Sequence, residues 1–311
     1  MGAVVLLLIA AGLLLFQPQR VPALQNFFLV FSSLLIEAMP FILLGSFVSA
    51  AIEVFVPARV FERITALPRA LQLPAAGLAG MAFPVCECGS VPVARRLARK
   101  GLSSGAAITF MLAAPILNPV VIASTIVAYQ GRATLWPIVL GRAGLGLLAA
   151  VAVGWVIANQ NPRKLVSRFD DEVDHQHGPR FAAFFAHMSN DLVFMGRFLV
   201  LGAAVAGAMQ TFVPQSLIAS VADTPFLSLV AMMALAFVLS LCSESDAFVA
   251  ASFVQFGVGA QLAFLVFGPM VDTKLAFLYS GTFNRSLLRT IVIVVAAVTF
   301  AGTLWIEVLV G

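Results

Sequence analysis

The sequence predicts an all-α integral membrane protein: a polytopic helical bundle of about eight or nine transmembrane helices, arranged as two internal repeats with broken helices. Composition is the first ground. Of 311 residues, 61% are hydrophobic and 10% charged, with a mean hydropathy of +1.03, where a soluble domain carries roughly 25% charge. The second ground is run length, because apolar stretches of about 20 residues recur and each can cross a hydrocarbon layer roughly 30 Å thick as a helix. The runs are continuous and rich in Ala, Leu, Val and Phe, unlike the short alternating strands of a membrane β-barrel. The third is an ordered set of matches between the two halves.

Taken in order, apolar spans are expected near 2–16, 26–51, 73–94, 103–128, 135–158, 183–211, 226–251, 258–281 and 287–310. No Lys or Arg precedes the first run, so it lacks the basic start of a cleaved signal peptide and reads as a retained helix. The chain divides into an N-terminal helix (1–25), a first four-helix unit (26–158), an acidic, histidine-bearing connector (159–182) and a second four-helix unit (183–311).

The net charge of +4 comes mainly from arginines between apolar runs. That placement reports orientation in the membrane, and nothing in it points to nucleic acid. The basic groups Arg95, Arg96, Arg99, Lys100 and Arg163, Lys164, Arg168, Arg180 lie two spans apart, so both are expected as cytoplasmic loops, with the N-terminus outside. Arg59, Arg63 and Arg69 oppose this; with Glu53 and Glu62 they read as an amphipathic surface helix, a one-span error being the alternative.

The repeat is read from spacing. Gly45 precedes Phe55-Val56-Pro57 as Gly202 precedes Phe212-Val213-Pro214, at an offset of 157. Cys86 matches Cys242, Phe110 and Pro115 match Phe264 and Pro269, and Asn118 matches Asp272, the offset ending at 154. Duplications of this kind are common in secondary transporters, whose substrate sites lie where broken helices of the two halves meet. Four crossings per unit would make the halves parallel, and one re-entrant segment would make them inverted; spacing leaves both open.

Within 73–94, Pro84-Val85-Cys86-Glu87-Cys88-Gly89-Ser90-Val91-Pro92 cannot continue a regular helix, since the prolines remove backbone donors and clash with the preceding turn. Its counterpart, Cys242-Ser243-Glu244-Ser245-Asp246, sets five polar or thiol residues in an apolar run. Non-helical backbone at membrane depth survives only when buried in protein or lining a cavity, and carboxylates there are costly against lipid. Pro115 to Pro119 and Pro269 to Lys274 are further breaks, and Asp272 and Lys274 are expected to neutralise each other.

The candidate substrate-binding set is Cys86, Glu87, Cys88, Asn118, Cys242, Ser243, Glu244, Asp246 and Asp272. Three thiols at equivalent breaks suit soft solutes such as Cu(I), Zn(II) or trivalent arsenic. The bland alternative is that free cysteines are small buried hydrophobes. Cys-x-Cys without histidine is a weak structural zinc motif, and His175 and His177 in the connector read as part of a solvated linker. Glu37 and Asp191 are candidates to relay protons, whereas Arg142 and Arg197 read as snorkelling groups or ion pairs. Walker, catalytic-triad and cofactor motifs are not found, so no cofactor and no enzymatic activity are expected. A thiol redox protein is the competing class, though Cys-x-x-Cys would suit it better.

Phe83 to Ala94, then Gly101, Phe110 and Ala114-Pro115-Ile116-Leu117-Asn118-Pro119, together with Leu241 to Phe248, resemble the ArsP-like permeases over nearly the whole chain. The resemblance implies a multi-pass permease of the bacterial inner membrane, in a family whose better-known members are associated with efflux of trivalent organoarsenicals. Cys86 and Cys88 fall on its Cys-x-Cys-Gly motif, Asn118 on its Asn-Pro motif and Cys242 on its second-half Cys-Ser motif. Glu87 departs from the small residue expected there, which alters the charge such a site would prefer. The expectation is a secondary transporter exporting a soft thiophilic solute, driven by the proton gradient. The alternative is a permease for another small solute, such as a sulfur oxyanion, metal ion or organic ion, with structural cysteines.

Overall fold

The computed structural model describes residues 22–57, 68–82, 85–159, 180–212 and 225–310. The expected helix at 2–16, the segment with Arg59 and Arg63, and His175 and His177 lie outside them. The described residues form helices, with no strand among them. In chain order these are α1 (Pro22–Phe55), α2 (Arg69–Ala79), α3 (Glu87–Arg99), α4 (Ser104–Leu117), α5 (Pro119–Ala128) and α6 (Leu135–Ala158). They are followed by α7 (Arg180–Phe212), α8 (Pro225–Leu239), α9 (Asp246–Ser252), α10 (Val258–Phe267), α11 (Thr273–Thr282) and α12 (Arg285–Val310). Five stretches are long and apolar enough to cross a bilayer: α1, α4 with α5, α6, α7 and α12. The protein is a polytopic helical membrane protein.

The run 73–94, expected as one span, folds back on itself. Ser103 beside the start of α4 reaches Gln72 near the start of α2, Gly77 faces Thr109 and Ala113, and Gly80 lies against Ala114. Helices α2 and α4 therefore run the same way. Past the break, Ser90 donates to the Met111 carbonyl and Leu102 N–H bonds the Leu97 carbonyl in the turn into α4, so α3 returns to the level at which α2 began. The pair is a re-entrant hairpin with its tip at Val85 to Cys88.

The run 226–251 folds in the same manner. The end of α8 lies against the end of α10, with Ala236 beside Gly268. After α9 the chain is back at the start of α10, where Gln261 donates to the Phe253 and Phe256 carbonyls. At the turn of this second hairpin, Ser240 adopts a φ of 47°, a left-handed conformation that ends α8 abruptly.

Each half thus consists of a long helix, a hairpin, a helix broken near its middle and another long helix. Partners at the same place in that order are antiparallel. Ser49 of α1 bonds Asp191 in the first half of α7, while Phe27 and Phe31 lie beside Gly207 near its end. Gly154 near the end of α6 meets Gly105 at the start of α4, whereas Thr303 near the end of α12 meets Gly259 at the start of α10, which Tyr129 after the end of α5 joins through Gln261. Helices α6 and α12 therefore also run oppositely. The core is α4 and α10, which are buried along nearly their whole length between hairpins and long helices. Backbone closeness needs glycine at one crossing above all: a Cβ on Gly45 of α1 would stand 2.5 Å from the Gly89 Cα.

Overpacking a close-packed contact costs about 1–3 kcal/mol. Replacing Gly45 by Val is expected to lower the thermal unfolding midpoint of the detergent-solubilised protein by several degrees. Gly144→Ala, where an added Cβ meets no atom within 4 Å, is expected to leave it unchanged.

Candidate functional site

Three of the four breaks that the sequence marks are closed by a side chain capping the helix that follows; the break before α9 is not. Cys86 Sγ accepts from Gly89 N–H at 3.4 Å and starts α3. Asn118 Oδ1 accepts from Val120 N–H at 2.9 Å and starts α5. Asp272 Oδ1 accepts from Leu275 N–H at 2.6 Å and starts α11. Capping satisfies donors that a broken helix leaves bare, so three of the nominated residues hold half-helices in place. Asn118 also reaches the Val85 carbonyl at 3.5 Å, tying the broken span to the first tip.

The two hairpin tips meet. Glu87, the first residue of α3 and 1% exposed, accepts from Ser243 Oγ at 3.0 Å and from Ser243 N–H at 3.5 Å across the halves. Its other oxygen lies 3.5 Å from Lys274 Nζ, and the same ammonium is 3.7 Å from Asp272 Oδ2. The expected pairing of Asp272 with Lys274 is thus present, and Lys274 additionally binds Glu87. Ser240 Oγ, at the strained turn, accepts from Lys274 N–H at 3.3 Å. The N-terminal end of α3 adds positive dipole beneath Glu87.

Beside this pair, ligand atoms of Glu87, Cys242 and Glu244 all lie within 4.8 Å of one another. Ser243 Oγ also reaches Glu244 at 3.4 Å, while the other oxygen of Glu244 has no hydrogen-bond partner. Glu244 and Ser245 are half-buried, and Ser245 Oγ donates to Glu37 of α1 at 2.8 Å. Glu87, Cys242, Ser243 and Glu244 are therefore brought together, with Asp272 joined through Lys274. Cys86 and Cys88 are buried in the same tip.

Asp246 is placed differently. Its carboxylate is bound by Arg142 of α6 at 2.8 Å, and that guanidinium also donates to Thr125 Oγ1 and the Ser243 carbonyl. Arg142 is 2% exposed; it pairs inside the protein, as the ion-pair reading expected, and locks the second tip to α6.

Arg95 and Arg96, expected in a cytoplasmic loop, are instead buried in α3. Arg96 lies 3.5 Å from Glu53 and 3.4 Å from Asp191, and Asp191 also accepts from Ser49. Arg95 lies over the Phe194 ring. The re-entrant path carries these arginines back among α1 and α7, so their spacing from apolar runs misreads a buried pairing as a loop. Asp191 likewise has a fixed cation partner. The advance sign was Asp191, which stood inside the expected apolar run 183–211 and so called for a partner.

With this geometry in view, comparison with known proteins is decisive. Residues 23–308 match the family described as "Predicted permease", ArsP_1. The chain belongs to this permease family. It is 37% identical over 285 residues to UPF0718 protein YcgR of Bacillus subtilis (strain 168), covering 89% of this chain and 96% of that protein. It is 35% identical over 262 residues to a putative two-component membrane permease complex subunit of Streptococcus mutans serotype c, covering 82% and 86%. No solved structure matches. Family and helices together make this permease a multi-pass membrane protein.

Removing one member of a buried ion pair costs about 3–5 kcal/mol, whereas replacing both by apolar groups is often neutral. Arg142→Met is accordingly expected to destabilise the detergent-solubilised permease by that amount. Adding Asp246→Leu to it should recover most of the loss, with both effects read from thermal unfolding.

Proposed function

We propose that this permease exports a small thiophilic solute through the junction of its two hairpin tips, and that its halves are inverted copies of one unit. The observation that carries the solute reading is the meeting of Cys242 with Glu87 and Glu244 within 4.8 Å, in the protein interior. A thiol among carboxylates at bilayer depth is costly unless it serves a ligand. The inverted arrangement is supported by antiparallel α1 and α7, antiparallel α6 and α12, and one re-entrant hairpin per half. In such a design the halves rock around a site at their shared midplane.

Trivalent arsenic and its methylated form are the first solutes to test, on the strength of the motifs shared with the ArsP-like permeases. Proton uptake and release by Glu87, Glu244 and the thiols would couple export to the proton gradient. The name of the Streptococcus mutans relative adds a second subunit as a proposed partner.

The alternative, another small solute with structural cysteines, is favoured by one observation: the Cys86 sulfur already caps α3. Replacing Cys86, Cys88 and Cys242 by Ser together separates the two. Under the proposal, methylarsenite uptake by everted vesicles falls roughly tenfold or more, equivalent to at least about 1.4 kcal/mol of lost interaction, and cellular tolerance falls with it. Unchanged uptake and tolerance in the triple variant reject the thiol site.

A further inference from the structure

The geometry points to Glu87, Cys242 and Glu244 as the ligands of a divalent transition cation of the zinc and cadmium class, with Lys274 as the internal cation that holds the charge of the site in its absence. The inference rests on the reading of the tip junction as the transport site and narrows its substrate class.

Three features of the junction lead there. Donor chemistry is mixed, with one sulfur and two carboxylate groups. Such a set suits borderline cations better than Mg²⁺ and Ca²⁺, which take oxygen ligands, or arsenic and Cu(I), which favour sulfur-rich sites. Spacing also fits. Bonds of roughly 2.0–2.3 Å in a tetrahedron place ligands about 3.3–3.8 Å apart, and the three ligand atoms already stand within 4.8 Å. Small side-chain rotations close that difference. Three protein ligands leave a fourth position open, as sites that exchange what they bind require, whereas structural zinc sites are closed by four.

Charge supplies the second, independent argument. Glu87, Glu244 and Asp272 meet at the tips, yet the single cation paired with them among the described residues is Lys274. Glu244 has no ion-pair partner there and carries an oxygen with no hydrogen bond. Buried carboxylates in such excess call for a further positive charge. Lys274, 1% exposed, stands 3.5 Å from Glu87 and 3.7 Å from Asp272, so it can yield Glu87 to a metal while keeping Asp272. Coordination by Cys242 forms a metal–sulfur bond and breaks the S–H bond, its proton leaving to water through the half-exposed side at Glu244.

The test titrates the full-length permease in detergent with Cd²⁺ and follows the ultraviolet thiolate-to-metal charge-transfer band, with Zn²⁺, Mg²⁺ and Ca²⁺ as competitors. One cadmium per chain is expected, displaced by zinc and indifferent to magnesium and calcium. Cys242→Ser should abolish the band and weaken cadmium binding at least tenfold by equilibrium dialysis; Glu244→Gln should weaken it similarly. Lys274→Gln should tighten it several-fold by removing the competing ammonium. Each variant is compared with Gly144→Ala for elution profile and thermal midpoint, and Glu244→Asp, retaining intermediate affinity, serves if Glu244→Gln fails to fold. Wild-type cadmium binding in Cys242→Ser overturns the assignment. If no cadmium binds while cysteine-dependent methylarsenite uptake persists, the metal site is wrong and the transport reading stands; if that uptake is also unchanged when Cys86, Cys88 and Cys242 are all replaced by Ser, both fall.

Discussion

Everything in this permease follows from a constraint on its own backbone: a helix broken at membrane depth exposes peptide groups that no lipid can satisfy. The breaks at Cys86 and Cys242 solve the problem by facing each other. Ser243 supplies both its hydroxyl and its N–H to Glu87, Cys86 caps the helix that begins there, and Asn118 reaches back to Val85. The tips are thus each other's solvent. This is also why the carboxylates tolerated there come with a lysine from a third break, since Lys274 is delivered by the same kind of interruption in α10 to α11. Destabilising any one break leaves the others with uncovered polar groups.

Much of this was legible in the sequence, for reasons that are local. Two prolines around Cys86, and five polar or thiol residues from Cys242 to Asp246, locate the breaks because they violate helix chemistry wherever they fall. The pairing of Asp272 with Lys274 was legible because a single residue, Thr273, separates them in sequence. What was not legible was direction. Hydropathy registers an apolar stretch and is blind to whether it crosses or returns, so 73–94 and 226–251 read as spans until Ser103 is found beside Gln72 and Phe253 beside Gln261. Long-range partners were equally hidden. Arg142 meets Asp246 across 104 residues, and Arg96 meets Asp191 across 95, separations that no local pattern encodes.

Matching places in the two halves do not have matching surroundings. Gly45 and Gly202 occupy corresponding positions in α1 and α7, yet Gly45 admits the α3 backbone at Gly89 and Gly202 admits the α11 backbone at Lys274. The long helices therefore use the same small-residue device on different partners, one a hairpin arm and the other half of a broken span. It is through this inequality that Lys274 arrives at Glu87: the close approach at Gly202 sets α11 deep enough for its second residue to reach the first tip. Corresponding residues in the first half, around Val120, lie at the half-exposed side of α5 instead.

The distribution of buried charge then sets Glu244 apart from the fixed pairs. Arg96 is divided between Glu53 and Asp191, Arg142 is committed to Asp246, and Lys274 is shared by Glu87 and Asp272. Each of those carboxylates has a cation within 4 Å, supplied by a distant segment and held by packing. Among the described residues Glu244 does not; the half-buried Glu37 and Glu307 also lack one but accept hydrogen bonds from Ser245 and from Gly259 N–H, whereas Glu244 stands beside Cys242 and Glu87 with one oxygen unbonded. A carboxylate placed so, beside a thiol and without an internal counter-charge, is where the proposed cation would gain most, with Glu87 and Cys242 within reach. The fixed pairs hold the tips in register, and the unpaired one leaves them incomplete.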